Sequence, residues 1–202
     1  MEMLFPAAGH GPGVVVAHAW WGLNQTVRDY GAALADKGFV VGLVDLFEGK
    51  VTDQIAEAER FSQTDWPVPP SARLVRAIGE LTAHAQVDGG GVGAVGFSYS
   101  GYHLLGLRLD AALPLRRLVV YYATRKLVPS AVATLTHFAE DDAFESAQDM
   151  RGMTTALAEA GTPNAAYSYA GTQHWFAESD RPEYDAGAAQ LAFQRTVDFF
   201  AS

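Results

Sequence analysis

Short apolar runs alternate with longer amphipathic stretches along the 202 residues of this chain, and this alternation narrows the folds that it can adopt. The run VVVAHA (14–19) is rich in β-branched residues, which is typical of a strand that is buried on both faces. The stretch over 24–38 has the pattern of a helix that ends at Gly38. Strands that alternate with helices in this way predict a doubly wound α/β fold with a mostly parallel sheet.

The alternation continues to the end of the chain. Further strands are expected at 39–46, 91–97, 116–123, 131–139 and 165–170, and further helices at 52–63, 71–85, from Ser98 onward, at 145–160 and at 185–200. In the helix over 71–85, Ser71 is expected to cap the first turn, and the predicted apolar positions are Leu74, Val75, Ile78 and Leu81. The proline-rich segment before it, 65–70, is either a lid or a connection. No internal repeat or long linker divides the chain, which predicts a single domain over 1–202.

Composition and charge exclude several classes of function. The net charge is −9 and no basic cluster is present, so nucleic acid is not expected as a partner. The absence of cysteine excludes disulfides and thiolate metal sites. The first residues lack the pattern of a signal peptide, and no apolar run approaches the ~20 residues that span a bilayer. These features predict a cytoplasmic protein without a membrane partner. They do not determine the oligomeric state, although a monomer is compatible with them.

The pentapeptide GFSYS (96–100) carries the strongest chemical signal in the chain. It differs only in its last residue from the G-x-S-x-G motif, in which a strand turns sharply into a helix and exposes the serine hydroxyl. Close packing of strand against helix leaves room only for small side chains two residues before and after the nucleophile. With Ser98 as the nucleophile, Gly96 and Ser100 occupy these positions. With Ser100 as the nucleophile, the bulky Tyr102 would occupy one of them, so steric fit favours Ser98.

The predicted helix start next to Ser98 suits the chemistry of acyl transfer. A helix N-terminus presents free N–H groups and the positive end of the helix dipole, and both stabilise negative charge. The backbone N–H of Tyr99 is therefore the first candidate donor to an oxyanion. The alternative interpretation is a buried strand followed by a turn, in which Ser98 only caps a helix. The local motif favours neither interpretation.

A serine nucleophile needs a histidine base and an acid that orients the base. In proteins with this motif, the three residues follow one another in the order Ser, Asp or Glu, His. The segments HFAEDDAFES (137–146) and GTQHWFAES (171–179) each follow a predicted strand. Because parallel strands end at one edge of a sheet, both segments are expected near Ser98. Asp142 and His174 are the candidates in the required order.

Other assignments of the same acidic segment compete with this one. Glu140, Asp141 and Asp142 are also compatible with a solvated acidic loop. A metal site built from these three residues and His137 matches no metal-binding spacing, so neither a metal nor another cofactor is predicted. Structural roles are expected for His137 and for His18, which ends the first long strand.

Four stretches of the sequence together resemble the dienelactone hydrolase family. They are VVVAHAWWGLNQTVRDYGAALADKGFVVGLVDLFEG (14–49), GAVGFSYSG (93–101), HFAEDDAFES (137–146) and YAGTQHWFAES (169–179). The last helix is also similar, and the likeness covers nearly the whole chain and is weakest over 50–85. The resemblance implies an α/β-hydrolase fold with a catalytic triad of Ser98, His174 and Asp142. It also implies a second oxyanion donor, the backbone N–H of Trp20.

Four positions depart from the family pattern. Ser98 stands where the family usually has a cysteine, and Ala19 stands where it has a glutamate that regulates the cysteine thiol. These two changes are consistent with each other, because a serine that histidine activates directly needs no such control. Ser100 replaces a glycine. Glu178 replaces an arginine that binds a substrate carboxylate. The negative charge of Glu178 is expected to repel such a substrate at short range.

The sequence thus predicts a serine hydrolase that acts on a small ester, lactone or thioester. Backbone N–H groups of Trp20 and Tyr99 are the expected oxyanion donors. Aromatic side chains are the candidates to wall an apolar pocket for a neutral, aromatic or acyl substrate, and for each of them core packing is an equally good alternative. The candidates are Trp20, Trp21, Tyr99, Phe144 and Trp175, of which Trp21, Phe144 and Trp175 are the predicted pocket residues. The alternative is a catalytically impaired protein of the same fold that binds a small ligand or a partner, because Ala19, Ser100 and Glu178 depart from the pattern.

Overall fold

The computed structural model describes residues 1–108, 112–127, 130–161 and 163–202. Within these ranges, the helices and strands in chain order are β1 (Glu2–Leu4), β2 (Gly11–Ala17), α1 (Gln25–Asp36), β3 (Val40–Val44), α2 (Ile55–Ser62), α3 (Pro70–Thr82), β4 (Val87–Phe97), α4 (Tyr99–Leu107), β5 (Leu115–Tyr121), β6 (Ala133–Asp141), α5 (Ala147–Glu159), β7 (Ala165–Gln173) and α6 (Ala186–Ala201). None of the helices in the described part of the chain is long and apolar enough to cross a membrane.

Seven strands form one sheet in the order β1-β3-β2-β4-β5-β6-β7. β1 runs antiparallel to β3, and all other neighbouring pairs are parallel. In the middle of the sheet, Ala94 of β4 pairs with Val15 of β2, and Val95 pairs with Val119 of β5. This arrangement confirms the predicted doubly wound, mostly parallel sheet. β1 is not predictable from the sequence, because three residues are too few to show a periodic pattern.

Burial on both faces of the sheet accounts for the apolar composition of its strands. Val92 and Ala94 of β4 join a core cluster with α3, α4 and α5. Val95 and Phe97 of the same strand join a second cluster on the other face with α1 and α6. Successive side chains of a strand point to opposite faces, so helices on both sides are needed to cover them.

The start of α3 differs from the prediction. The helix begins at Pro70, with Pro69 at the N-cap and no side-chain cap, and Ser71 lies inside the first turn. Proline suits this place because its φ is already helical and it lacks an N–H that would need an acceptor. Val75 is 39% exposed, because it lies outside the apolar stripe of the helix. The buried residues that form this stripe are Leu74, Ala77, Ile78 and Leu81.

The proline-rich segment 65–70 follows α2, leads into α3 and is anchored by Trp66. Trp66 is buried, and its indole N–H donates to the carbonyl oxygen of Phe61 at 3.0 Å. Its ring stacks on Phe47 with 5.4 Å between centroids, and Phe47 in turn contacts Tyr99 at the start of α4. These contacts anchor the segment beside the carboxyl edge of the sheet.

The carboxyl ends of three parallel strands bring the candidate site residues to one edge of the sheet. β4 ends at Phe97, β6 ends at Asp141 and β7 ends at Gln173. One candidate follows each strand directly, and these candidates are Ser98, Asp142 and His174. Open α/β sheets place their functional sites at this edge.

Candidate active site

Ser98 occupies a strained turn between β4 and α4. Its φ of 45° and ψ of −106° lie outside the regions that L-residues normally adopt. Its N–H donates to the carbonyl oxygen of Tyr121 at 2.9 Å, and its own carbonyl oxygen accepts a hydrogen bond from the N–H of Tyr102 at 2.9 Å. Strain of this kind persists only where the surrounding structure imposes it, and it is typical of the serine in a strand-to-helix elbow.

Two glycines allow the strand and the helix to approach each other closely at this turn. A Cβ atom on Gly96 would lie 2.7 Å from the backbone nitrogen of Gly101 and 2.7 Å from Cδ1 of Leu104. A Cβ atom on Gly101 would lie 2.8 Å from Cγ1 of Val120. These distances are shorter than van der Waals contact, so a larger residue at either position would push the helix away from the sheet.

Ser100, which stands where the elbow motif has glycine, links two strands. Its side chain is buried, and its Oγ accepts a hydrogen bond from the N–H of Phe97 at 3.0 Å. The same hydroxyl donates to the carbonyl oxygen of Ala17 at 2.8 Å. The end of β4 is thereby tied to the end of β2. The turn accommodates the extra side chain because the hydroxyl makes hydrogen bonds that glycine cannot make.

His174 joins the serine and the aspartate. Its Nε2 lies 2.9 Å from Ser98 Oγ, and its Nδ1 lies 2.8 Å from each carboxylate oxygen of Asp142. With the proton on Nδ1, the ring donates to the carboxylate, and the lone pair of Nε2 accepts the serine hydroxyl proton. The side chains of His174 and Asp142 are only 4% and 0% exposed, so water competes little for these bonds. The structure brings the three predicted residues together in one hydrogen-bonded chain.

The turn after β6 fixes the carboxylate of Asp142. Its Oδ1 accepts hydrogen bonds from the backbone N–H groups of Phe144 at 2.8 Å and Glu145 at 3.0 Å. The carboxylate of Glu145 accepts from the N–H of Thr124 at 3.1 Å and from the Thr124 hydroxyl, which ties the turn to the segment after β5. Burial, together with the nearby charge of Asp142, raises the pKa of Glu145 to about 7. Sequence reasoning does not single out Glu145, whose only signal is its place in the acidic segment.

Tyr99 and Trp20 lie in segments that adjoin the serine turn. Tyr99 is the first residue of α4 and directly follows Ser98. Its N–H belongs to the first turn of the helix, where no intrahelical acceptor exists, so the group is suited to a negative charge beside the serine. Trp20 follows β2, the strand that neighbours β4 in the sheet. Both residues therefore belong to the carboxyl edge at which the serine turn lies.

An aromatic wall, formed by Trp20, Phe144 and Trp175, stands beside His174. The ring centroid of Phe144 lies 4.8 Å from that of His174, 5.0 Å from that of Trp175 and 5.7 Å from that of Trp20. Phe144 is 52% exposed, whereas Trp175 is buried. Phe144 and the half-buried Trp20 thus present the accessible surface of this wall.

Trp21 has the core-packing role that the sequence allows as the alternative to lining a pocket. Its side chain is fully buried, and its ring packs edge-on against Trp20 and Trp175 with centroid separations of 5.6 and 5.0 Å. The guanidinium carbon of Arg181 lies 3.9 Å from the centroid of the Trp21 ring. Because two indoles and a guanidinium cover it, Trp21 supports the aromatic wall from behind.

Glu178 also differs from the expectation based on the sequence. Its side chain is buried, and its Oε1 accepts a hydrogen bond from the Tyr122 hydroxyl at 2.8 Å. Burial raises the pKa of Glu178 to about 8, so the carboxyl carries a proton at neutral pH. The expected repulsion of a substrate carboxylate is therefore wrong at neutral pH. Tyr122, which sequence reasoning missed, gives no motif signal because its importance depends on a partner 56 positions away.

The two remaining buried histidines hold neighbouring elements together. His18 Nε2 accepts a hydrogen bond from the N–H of Leu46 at 2.9 Å. His137 bonds the hydroxyl of Tyr169 through Nδ1 at 2.8 Å and that of Thr196 through Nε2 at 3.1 Å. Burial lowers the pKa of His137 to about 3, so the ring remains neutral. Both residues have structural partners, in agreement with the sequence interpretation.

The side chains of the alternative metal site separate from one another. Asp142 binds His174, whereas Glu140 accepts a hydrogen bond from the N–H of Gly171 at 2.8 Å. Glu140 and Asp141 are exposed at the end of β6. In the part of the chain that the structure describes, no group of three His, Cys, Asp or Glu side chains is arranged to hold a metal ion.

The fold and the arrangement of the site define the class of this protein. A mostly parallel sheet covered by helices, a serine on a strained strand-to-helix turn, and an aspartate and a histidine after later strands are features of the α/β-hydrolases. Within this class, the chain belongs to the dienelactone hydrolase family, whose sequence profile matches residues 3–202. The protein is accordingly a hydrolase.

Individual relatives agree with this membership. The carboxymethylenebutenolidase of Pseudomonas putida is 27% identical over 210 residues, which cover 97% of this chain and 88% of the relative. A putative dienelactone hydrolase from Klebsiella pneumoniae has a similar structure, with a TM-score of 0.82 and 20% identity over 99% of this chain and 91% of the other. The structure of a dienelactone hydrolase-like promiscuous phosphotriesterase from metagenomic libraries is also similar, with a TM-score of 0.80 and 23% identity. The match covers 98% of this chain and 90% of the other. The two structures show that the fold is shared.

Proposed function

We propose that this protein is a serine hydrolase that cleaves a small ester, lactone or thioester through an acyl-enzyme intermediate. The proposal rests on the hydrogen-bonded chain in which His174 lies 2.9 Å from Ser98 Oγ and 2.8 Å from the Asp142 carboxylate. A base within reach of the nucleophile and an acid within reach of the base meet the geometric requirement for acyl transfer. Membership of the dienelactone hydrolase family supports the same class of reaction.

In the first half-reaction, Ser98 Oγ attacks the carbonyl carbon while His174 Nε2 takes the hydroxyl proton. Nδ1 stays bonded to Asp142, whose negative charge stabilises the imidazolium. The proton then passes from Nε2 to the leaving alcohol or thiol, the bond between the acyl carbon and the leaving group breaks, and an ester of Ser98 remains. In the second half-reaction, water attacks this ester and gives a proton to Nε2. That proton returns to Ser98 Oγ as the carboxylic acid leaves.

The tetrahedral intermediates of both half-reactions carry an oxyanion. We assign its two hydrogen bonds to the backbone N–H groups of Tyr99 and Trp20. Tyr99 stands at the N-terminus of α4, where the helix dipole adds to the stabilisation of negative charge. Such donors are fixed by the backbone, so they need no rearrangement during the reaction.

The aromatic wall favours an uncharged substrate with an apolar group close to the scissile bond. Phe144 presents its ring next to His174, which carries the reacting proton, and Trp20 packs against Phe144. Each Å² of apolar surface that the substrate buries against them contributes roughly 25 cal/mol to binding. Esters with aromatic or short aliphatic groups are therefore the expected substrates.

Hydrolysis of short p-nitrophenyl esters tests the proposal. We expect the Ser98→Ala variant to lose at least about three orders of magnitude in kcat, because the nucleophile is removed. The matched control is Ser168→Ala, which changes an exposed serine on β7 and should leave kcat unaltered. Undiminished turnover in Ser98→Ala would overturn the assignment of the nucleophile.

Covalent labelling with paraoxon provides a second readout. Paraoxon is a phosphotriester, and one structural relative is a promiscuous phosphotriesterase. Ser98 Oγ is expected to attack phosphorus and expel p-nitrophenolate, leaving a diethylphosphoryl group that mass spectrometry locates on the Ser98 peptide. A wild-type protein that is neither labelled nor active on any ester, lactone or thioester would instead support the alternative of a ligand-binding protein.

A further inference from the structure

Tyr122 and Glu178 form a buried pair beside His174 that the proposed reaction does not use. The ring of Tyr122 packs against the imidazole with 4.9 Å between centroids, and its hydroxyl donates to Glu178 Oε1 at 2.8 Å. Tyr122 is 0% exposed and Glu178 is 2% exposed, so neither has a surface that a substrate contacts. The contact between the Tyr122 ring and the imidazole gives the pair a direct route to the position of His174.

The backbone holds both members of the pair in place. The N–H of Tyr122 donates to the carbonyl oxygen of His137 at 2.8 Å, and its φ of 38° is one that a bulky residue adopts only where the surroundings impose it. The N–H of Glu178 donates to the carbonyl oxygen of Trp175 at 2.9 Å. This bond closes a turn that begins directly after His174, so Glu178 is fixed relative to the imidazole.

The charged groups around the Glu178 carboxyl belong to its own segment. Burial has the largest influence and raises the pKa of Glu178 to about 8, while the Tyr122 hydrogen bond and Arg181 lower the pKa and Asp180 and Glu183 raise it. From the opposite side, the Tyr122 hydroxyl faces the carboxyl. Burial and the neighbouring Glu178 raise the pKa of this phenol well above its ordinary value. At neutral pH both groups keep their protons.

We propose that Tyr122 and Glu178 position the His174 ring for proton transfer. The hydroxyl anchored on Glu178 fixes the tilt of the Tyr122 ring, and the imidazole rests against this ring. A ring held in this way keeps Nε2 on Ser98 while Nδ1 stays on Asp142. Such control matters because a displacement of about 1 Å lowers a rate by as much as about 100-fold. The inference rests on the proposed function, since it concerns the same reaction.

Variants at the two positions test the inference through kcat and KM for a p-nitrophenyl ester. Tyr122→Phe removes the anchoring hydrogen bond, so we expect kcat to fall about tenfold while KM stays within about twofold. Glu178→Gln keeps an oxygen that accepts from the phenol, so its kcat at neutral pH should stay within about twofold of wild type. The kcat of Glu178→Ala should fall at least as far as that of Tyr122→Phe. The kcat of the double variant should fall no further than that of Glu178→Ala, because both substitutions remove the same hydrogen bond.

The pH profile separates positioning from folding. As the pH rises through about 8, Glu178 loses its proton. A buried carboxylate is poorly solvated, so its segment relaxes toward water. The Tyr122 hydroxyl, which hydrogen-bonds the carboxylate more strongly than the acid, moves with this segment and tilts the Tyr122 ring away from its position against His174. The kcat of the wild type should therefore fall above about pH 8, whereas the kcat of Glu178→Gln should show no such fall. This comparison of pH profiles tests the positioning role even where Tyr122→Phe or Glu178→Ala does not fold.

The matched control is Tyr121→Phe, which removes the hydroxyl of a neighbouring buried tyrosine that bonds Tyr30 and Thr196. Its kcat should equal that of the wild type. The inference is overturned by unchanged kcat in all folded variants, by effects confined to KM, or by identical pH profiles of Glu178→Gln and wild type. These outcomes bear on the inference only where the wild type hydrolyses the ester and Ser98→Ala abolishes that hydrolysis. Turnover that survives Ser98→Ala overturns the proposed function itself.

Discussion

Ser100 replaces the glycine that the elbow motif has two residues after its serine. Glycine is found there because strand and helix are close, and the close approach is present here too, as the contacts of Gly96 show. The buried hydroxyl nevertheless fits, because it accepts from Phe97 and donates to the carbonyl oxygen of Ala17. A departure from the motif is thus compensated by hydrogen bonds to the backbone.

Ser100→Ala should therefore lower the free energy of unfolding by about 1–2 kcal/mol. The substitution leaves the N–H of Phe97 and the carbonyl oxygen of Ala17 without this partner in a buried place. Urea denaturation of the wild type and the variant measures the difference. Ser168→Ala, on the exposed side of β7, should shift the free energy by no more than about 0.5 kcal/mol. Equal midpoints for Ser100→Ala and wild type would contradict the prediction.

The junction of β4 and α4 shows at the scale of elements how packing creates the reactive turn. Gly96 and Gly101 face each other across the junction, and their lack of side chains lets α4 begin immediately after the strand. This close packing imposes the strained backbone of Ser98. The geometry of the serine therefore depends on the packing of two elements and not on the serine alone.

Gly96→Ala should disturb stability and catalysis together. The new Cβ would lie 2.7 Å from the backbone nitrogen of Gly101, so α4 must move away from the sheet and take the Ser98 turn with it. Overpacking of this kind costs about 1–3 kcal/mol of stability, and a shift of the nucleophile lowers kcat by about 100-fold. Calorimetry and ester hydrolysis measure the two effects.

Gly79→Ala is the matched control for this substitution. Apart from the backbone of α3 itself, no atom lies within 4 Å of a Cβ at this position, which is inside the helix. Alanine is more favourable than glycine in a helix by about 1 kcal/mol, so the variant should be slightly more stable than the wild type and equally active. A wild-type rate in Gly96→Ala would show that the turn does not depend on this contact.

At the scale of the whole molecule, a buried carboxyl couples folding to pH. Glu178 titrates at about 8 in the folded protein, compared with an ordinary value of 4.5 in an unfolded chain. At a pH between these two pKa values, Glu178 keeps its proton in the folded protein and has lost it in the unfolded chain. The stability therefore falls as the pH rises, by at most about 1.4 kcal/mol per pH unit, and the loss ends above about pH 8.

Glu178→Gln should remove this contribution. Its free energy of unfolding relative to the wild type is expected to grow as the pH rises from about 5 to about 8 and then to level off. Urea denaturation of both proteins across this range measures the change. The net charge of −9 affects both proteins in nearly the same way, so the difference between them isolates the buried carboxyl. Parallel curves would contradict the prediction.

Most of the architecture is predictable from the sequence, and the exceptions have physical reasons. The strands of the parallel sheet are apolar runs because both of their faces are buried, and a local pattern reveals this. β1 is too short to show a pattern, and the start of α3 depends on Pro70, which suits the first helical turn better than the predicted Ser71 cap.

The order of the strands and helices after β1 and the candidate residues Ser98, Asp142 and His174 are readable from the amino-acid sequence alone. Periodicity, the sterics of the turn and the positions after strands are properties of neighbouring residues, so they can be read locally. The covering of Trp21, the hydrogen bond that Glu178 accepts from Tyr122 and the proton that Glu178 keeps are evident only in the folded chain, because these properties depend on side chains from distant segments. Burial and the choice of hydrogen-bond partner arise when the chain packs, and no single stretch of sequence contains them.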